Sequence, residues 1–355
     1  MWDRLDAFSF CIFDETLKYD FFGLSEQKIF HIRTEEEFNL HALEAFHYQL
    51  ANNTIYSQFV HALRGNVSGI EHYSRIPFLP IEFFKTSRVY ASEKEPELIF
   101  KSSGTTGTDP SIHAVADPGL YRSALLSGFR YFYGDPGDYL ICALVPSPQE
   151  NPRSSLAYMI DTLIKAGARP GNGFYLNDPE GLMSVLTQVK SEQRKVKRQP
   201  TIALLIGLTY ALLDFAEQHP IQLPGAVIME TGGMKGRRKE LIREELHSIL
   251  KQAFGVNAIH SEYGMSELLS QAYSKGDGIF QSPPWMKVLI RDPYDPLSWI
   301  PNGKTGGISI IDLANRYSCP FIATQDLGKQ HPDGSFEVLG RFDYSDMRGC
   351  NLMVT

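Results

Sequence analysis

Residues 99–111 read IFKSSGTTGTDPS, an apolar lead-in followed by hydroxyls and glycines. Ser102, Ser103, Thr105 and Thr106 supply side-chain donors. Gly104 and Gly107 permit a tight backbone in which several N–H groups converge. Such a loop binds anionic oxygens, a phosphate above all. The common nucleotide loop needs G-x-x-x-x-G-K-[ST]. Here Gly107 is followed by Thr108 and Asp109, so that motif is excluded. A polar turn without a ligand has the same composition, and the loop alone does not separate the two.

Four more segments follow in order: ETGGMKGRRKEL (230–241), EYGMSE (262–267), ATQDLG (323–328) and GRFD (340–343). SSGTTG resembles the phosphate loop of the adenylate-forming superfamily, which includes acyl-CoA ligases, peptide-synthetase adenylation domains and luciferases. Each later segment resembles a further motif of that superfamily. The resemblance implies ATP and Mg²⁺ as cofactors and a carboxylic acid as substrate. It implies that Ser102, Ser103, Gly104 and Gly107 hold phosphates, with Thr105 and Thr106 among the catalytic groups. Gly232 and Gly233 would bring backbone close to the adenine and ribose. Tyr263 would stack on the purine, a contact worth ~1–3 kcal/mol by analogy with base stacking, with Gly264, Met265 and Ser266 beside it. Glu267 would be both catalytic and the Mg²⁺ ligand, since that ion prefers oxygen. Asp326 would accept from ribose hydroxyls, and Arg341 would reach the ribose or the phosphates. Each residue alone has an ordinary reading: Tyr263 as core, Glu267 as a first-turn helix acid, Asp326 as part of a turn. Five segments in the right order tell against five accidents.

Within the superfamily, the chain resembles the acyl-protein synthetases of the LuxE type, which activate long-chain fatty acids. The resemblance runs over nearly the whole length and includes IPFLPIEFFK (76–85), SSGTTGTDPSIHAV (102–115), VPSPQENPRSSLAYM (145–159) and RGCN (348–351). It implies that the acyl adenylate is passed to a cysteine near the C-terminus, which here is Cys350. A thiolate is an effective nucleophile at an activated acyl group, but a free thiol titrates near ~8.5 and needs help to ionise. Arg348 is placed to give that help; an idle terminal cysteine is the alternative. Cys142 and Cys319 read as core. The acyl group would then go to a fatty-acyl reductase, a carrier protein or another acceptor. Superfamily enzymes carry a further mobile domain with a lysine that assists adenylation; the sequence stops at Thr355, and neither is expected here. The superfamily also shows Pro-Lys shortly after its loop, whereas Pro110 is followed by Ser111. Lys101, Lys85 or a partner's side chain would replace that charge. His113 reads equally as a structural or a catalytic histidine. CoA as acceptor, as in the phenylacetate–CoA ligase relatives, is a second reading, and a non-catalytic nucleotide- or acyl-binding subunit a third.

The elements that must position these residues follow from pattern. With 34 basic and 41 acidic residues the 355-residue chain carries −7, which tells against a nucleic-acid footprint. The cluster Lys190, Arg194, Lys195, Lys197 and Arg198 reads as a solvated helix end. The N-terminus lacks the cationic head of a signal peptide, and no run reaches the ~18 apolar residues of a membrane span. Four scattered cysteines without a CxxC pair fit free thiols in the cytoplasm. Residues 1–96 read as mainly helical, with Thr34 as an N-cap and 74–90 as a Pro-punctuated extended stretch. In 97–284, short apolar runs (97–103, 138–145, 201–207, 225–230, 256–264) alternate with helices (118–132, 154–166, 179–191, 208–219, 236–253), the mark of a mostly parallel α/β sheet. From 285 to 355 short strands separated by Gly, Asp and Pro predict a small antiparallel or barrel subdomain. The fold class expected is therefore α/β: the large N-terminal domain of the adenylate-forming enzymes plus that subdomain.

Overall fold

A computed structural model describes residues 26–64, 67, 69–102, 109–193, 201–233 and 241–342. The N-terminal part contains helices α1 (Glu35–Asn52) and α2 (Thr54–Arg64), a short strand β1 (Leu79–Pro80) and the helical turn α3 (Phe83–Thr86). Thr34 caps α1 as expected. Its hydroxyl accepts from the Glu37 N–H at 3.2 Å, and the Glu37 carboxylate accepts from the Thr34 N–H in return. The extended stretch is therefore interrupted: β1 pairs in parallel with a distant strand through Leu79 and Ile322, and α3 follows at once.

Strands β2 (Leu98–Lys101) and β3 (Ile112–Val115) form a hairpin around the phosphate-loop segment. The sequence places 97–103 in the parallel sheet; instead β2 pairs antiparallel with β3 in a separate two-stranded sheet. The reason is one-sided burial. Phe100 is buried while Ile99 is exposed, whereas a central parallel strand is covered on both faces.

The α/β core then runs α4 (Pro118–Tyr133), β4 (Tyr139–Leu144), α5 (Ser155–Gly167), β5 (Gly173–Phe174), α6 (Pro179–Gln193), β6 (Ile202–Leu208), α7 (Thr209–Gln218), β7 (Val227–Thr231), α8 (Arg243–Phe254) and β8 (His260–Tyr263). β4 and β6 are buried almost throughout, and β5, β4, β6, β7 and β8 lie parallel in that order. Helix α8 begins at Arg243, after the extended Ile242; residues 236–240 of the expected helix lie outside the described residues. Strand β8 is shorter than 256–264 because Gly255 closes α8 in the left-handed region at φ 67° and the Val256 N–H still bonds to Lys251.

Six antiparallel strands follow: β9 (Ala272–Ser274), β10 (Ile279–Gln281), β11 (Met286–Arg291), β12 (Thr305–Asp312), β13 (Phe321–Gln330) and β14 (Phe336–Arg341). They do not stand apart. The sheet reads β11-β12-β13-β14-β10-β9-β8-β7-β6-β4-β5 without a break, and the switch from parallel to antiparallel falls between β8 and β9. Among the described residues no helix is long and apolar enough to cross a membrane.

Candidate functional site

Four parallel strands end at one cavity of about 510 Å³. Val145 and Pro146 follow β4, Leu208 closes β6, Thr231 and Gly232 end β7, and Gly264, Met265 and Ser266 follow β8; all line it. Ligands of open α/β sheets collect at this edge, beyond the strand carboxyl ends. Lys101 and Ser102, at the stem of the phosphate-loop segment, line the same space. The stem is closed by a pair of bonds: the Ser102 N–H donates to the Ser111 carbonyl at 3.1 Å, and the Ser111 N–H to the Ser102 hydroxyl at 2.9 Å. The segment 145–159 supplies a wall. Ser154 caps α5 by accepting from the Ala157 N–H, and Arg153 adds a second cation near Lys101, whose N–H donates to the Arg153 carbonyl at 2.9 Å. Leu156, Met159 and Tyr210 make the lining partly apolar.

Ser111 donates its hydroxyl to Glu267, 156 residues away. Glu267 is buried; burial pushes its pKa up and the Ser111 hydroxyl opposes that. A cation beside it would offset the burial, and one hard carboxylate is what Mg²⁺ asks of a protein when phosphates supply its other ligands, so the residue fits that ion. His113 is fully buried between the Ser266 carbonyl (2.7 Å from Nδ1) and the Asn315 side-chain oxygen (3.0 Å from Nε2). Asn315 in turn donates to the Glu267 and Cys319 carbonyls. Burial drops the His113 pKa to about 4, so the ring is neutral, and a neutral ring donates one of its two contacts at a time. His113 is a strut that holds 266–267 in place.

The Tyr263 hydroxyl donates to Asp326 Oδ2 at 2.7 Å, and Arg341 Nε donates to Asp326 Oδ1 at 3.3 Å. These groups come from β8, β13 and β14. The Tyr263 ring meets Phe280 and Phe336 edge-on; burial, then Asp326, lifts its pKa well above that of a free phenol. Gly232 and Gly233 both sit in the left-handed region, at φ 69° and 66°, where a side chain would be strained. The cavity therefore gathers Ser102, Gly232, Gly264, Met265 and Ser266 from the expected set. Glu267, Tyr263, Asp326 and Arg341 adjoin it through those neighbours. Ser103, Gly104, Thr105, Thr106, Gly107 and Cys350 lie outside the described residues. Cys142 and Cys319 are core, with burial raising each thiol to about 12.

Sequence reasoning missed Glu262. It lines the cavity from β8, is almost wholly buried, and takes a hydrogen bond from the Thr231 hydroxyl on Oε2. Burial lifts its pKa to about 7, and Thr231 alone works against that. Its other oxygen, Oε1, lies 2.4 Å from where a Cβ on Gly264 would stand, so Gly264 is needed for close approach. The available signal was an acid in a short, largely apolar run with no Lys or Arg beside it.

A family model described as acyl-protein synthetase, LuxE, matches residues 7–355. No curated protein shows a match to the chain. Among solved structures, 2-hydroxyisobutyryl-CoA ligase with 2-HIB-AMP and CoA, in its thioesterification state, is similar at a TM-score of 0.63 and 14% identity, over 87% of this chain and 68% of that one. The open conformation of that ligase, also with 2-HIB-AMP and CoA, gives 0.60 and 13% over 87% and 70%. ATP-bound MatB from Rhodopseudomonas palustris gives 0.51 and 15% over 72% of this chain and 50% of that one. The chain thus spans half the length of the MatB chain it matches. At these identities the likeness is one of fold, that of the adenylate-forming ligases. With the family model covering nearly every residue, the chain belongs to the LuxE acyl-protein synthetase family.

Proposed function

We propose that the protein uses ATP to activate a carboxylic acid with an apolar chain, a fatty acid in the widest sense, and passes the acyl group to Cys350. The observation that carries this is the cavity, which joins the stem of the phosphate loop, the Gly232 turn and the segment after β8 to a partly apolar lining. Family membership and the fold of the ATP- and acyl-AMP-bound neighbours support it.

In this reading a carboxylate oxygen attacks the α-phosphorus of ATP, a P–O bond forms, and pyrophosphate leaves. The hydroxyls and amides of 102–107 hold the phosphate oxygens, and Lys101 and Arg153 add positive potential. Glu267 would hold Mg²⁺, which neutralises charge on the phosphates. Tyr263 stacks on the adenine, Asp326 accepts from the ribose hydroxyls and Arg341 reaches the ribose or a phosphate. The Cys350 thiolate then attacks the acyl carbonyl, a thioester forms and AMP departs. The free, buried Cys142 and Cys319 favour a cytoplasmic setting. A reductase or carrier protein would take the acyl group onward.

Incubation with ATP, Mg²⁺ and a labelled acid is expected to leave a hydroxylamine-labile label on the protein that Cys350→Ser loses. Unaltered labelling in that variant overturns the cysteine role. Failure of every acid to support pyrophosphate exchange into ATP overturns activation itself. CoA in the ligase neighbours' complexes favours a second acceptor, and formation of acyl-CoA on adding CoA decides between them.

A further inference from the structure

The cavity contains a group the activation chemistry does not use. Glu262 projects from β8 on the opposite side from Ser261 and Tyr263, as strand alternation requires. The Thr231 hydroxyl occupies Oε2. Among the described residues Oε1 has no hydrogen-bond partner. Glu262 itself lines the cavity. Its titratable neighbours are phenols: Tyr121 and Tyr133 from α4, and Tyr273 from β9. Burial holds all three above the usual phenol range, so none supplies a positive charge.

A hydrocarbon chain pressed against Oε1 would strip it of water and give nothing back, and a buried polar group left unpaired costs about 1–3 kcal/mol. We propose that Glu262 selects the substrate: the acid that fills this cavity carries a hydroxyl on its chain, paired with Glu262 Oε1, and a plain alkanoic acid is disfavoured. A hydroxyl suits this partner in either protonation state. It donates to the carboxylate and accepts from the carboxylic acid, whereas a keto oxygen can pair with the acid form alone. This rests on the reading of the cavity as the acyl site, and the experiment separates the two.

Binding of octanoate, and of hydroxyoctanoates with the hydroxyl near, midway along or at the end of the chain, is measured calorimetrically on the whole protein with α,β-methylene-ATP. At least one hydroxy acid is expected to bind wild type tenfold tighter or more, about 1.4 kcal/mol or above. Glu262→Gln keeps an acceptor for Thr231 and a donor for the ligand, and retains the preference. Glu262→Leu reverses it. The same hydroxy acid shifts the Glu262 carboxyl stretch in the infrared difference between wild type and E262Q, and octanoate does not; this readout stands even where E262L fails to fold. Equal binding of octanoate and every hydroxy acid by wild type, or no shift of that band, overturns the proposal. Pyrophosphate exchange is scored separately. Exchange without a hydroxyl preference sinks the selectivity and leaves activation standing. A preference without exchange does the reverse.

Discussion

Glu230 and Glu262 sit on adjacent parallel strands, are mostly or wholly buried, and behave in opposite ways. Burial raises the pKa of Glu230 too, but hydrogen bonds from His247, Thr209 and Ser261 outweigh it and hold the carboxyl below its ordinary value. Thr209 and Ser261 donate at 2.8 and 2.9 Å, and His247 Nε2 lies at 3.4 Å. Those partners come from α7, β8 and α8, so one fixed charge ties three elements to β7. Glu262 has Thr231 and no more among the described residues. The number and kind of donors, not depth, separate the two. A saturated buried carboxylate belongs to the architecture; a half-partnered one beside a cavity has an oxygen left to pair with something else.

The comparison can be broken from either side. The largest effect is expected from Glu230→Leu, which leaves His247, Thr209 and Ser261 without their acceptor and should cost about 3–5 kcal/mol in denaturant unfolding at neutral pH. Because the folded pKa is depressed, this stabilisation is present above the ordinary carboxylate range and is lost as pH falls. The difference from wild type should therefore shrink in acid. Glu262→Gln should act with the other sign. A rise from the ordinary 4.5 of a glutamate to about 7 corresponds to roughly 3 kcal/mol. Wild-type stability should fall as pH rises from about 4.5 to 7 and then level off, and the glutamine variant should lack that slope. A flat difference across that window would show that Glu262 is not strained by ionisation. Gly264→Ala drives a methyl against Glu262 Oε1 and should cost about 2 kcal/mol, with most of the loss recovered in the Glu262→Ala background of a double-mutant cycle. The smallest effect, ~1 kcal/mol, is expected from Tyr263→Phe, which removes one hydrogen bond to Asp326 and keeps the ring packing; chemical melts would resolve it.

Much of the framework was legible. Thr34 followed by Glu37 is a capping box in sequence and in space, and the apolar runs at 138–145, 201–207 and 225–230 became β4, β6 and β7 because a doubly covered strand has no polar face to show. The order of the motif segments was enough to bring Ser102, Gly232 and Met265 to one cavity. What stayed hidden depends on partners far along the chain. Residues 97–103 look like a buried strand until β3 is known to lie beside them. Ser111 looked like a missing lysine until Glu267 was seen to take its hydroxyl. Asn315, which no motif marked, holds the Glu267 backbone from 48 residues away. Glu262 stands at the head of a motif segment, and nothing local tells a half-partnered carboxyl from a saturated one such as Glu230.

The closeness of Gly264 to Glu262 Oε1 also constrains how this site can change over generations. A side chain at 264 pushes that oxygen aside and disturbs the Thr231 bond on the same carboxylate, whereas with 262 trimmed first it meets no such obstacle. Along that second route the intermediate has a small residue at both positions and a roomier cavity without the acid at 262. Change at one of these two positions therefore alters the cost of change at the other.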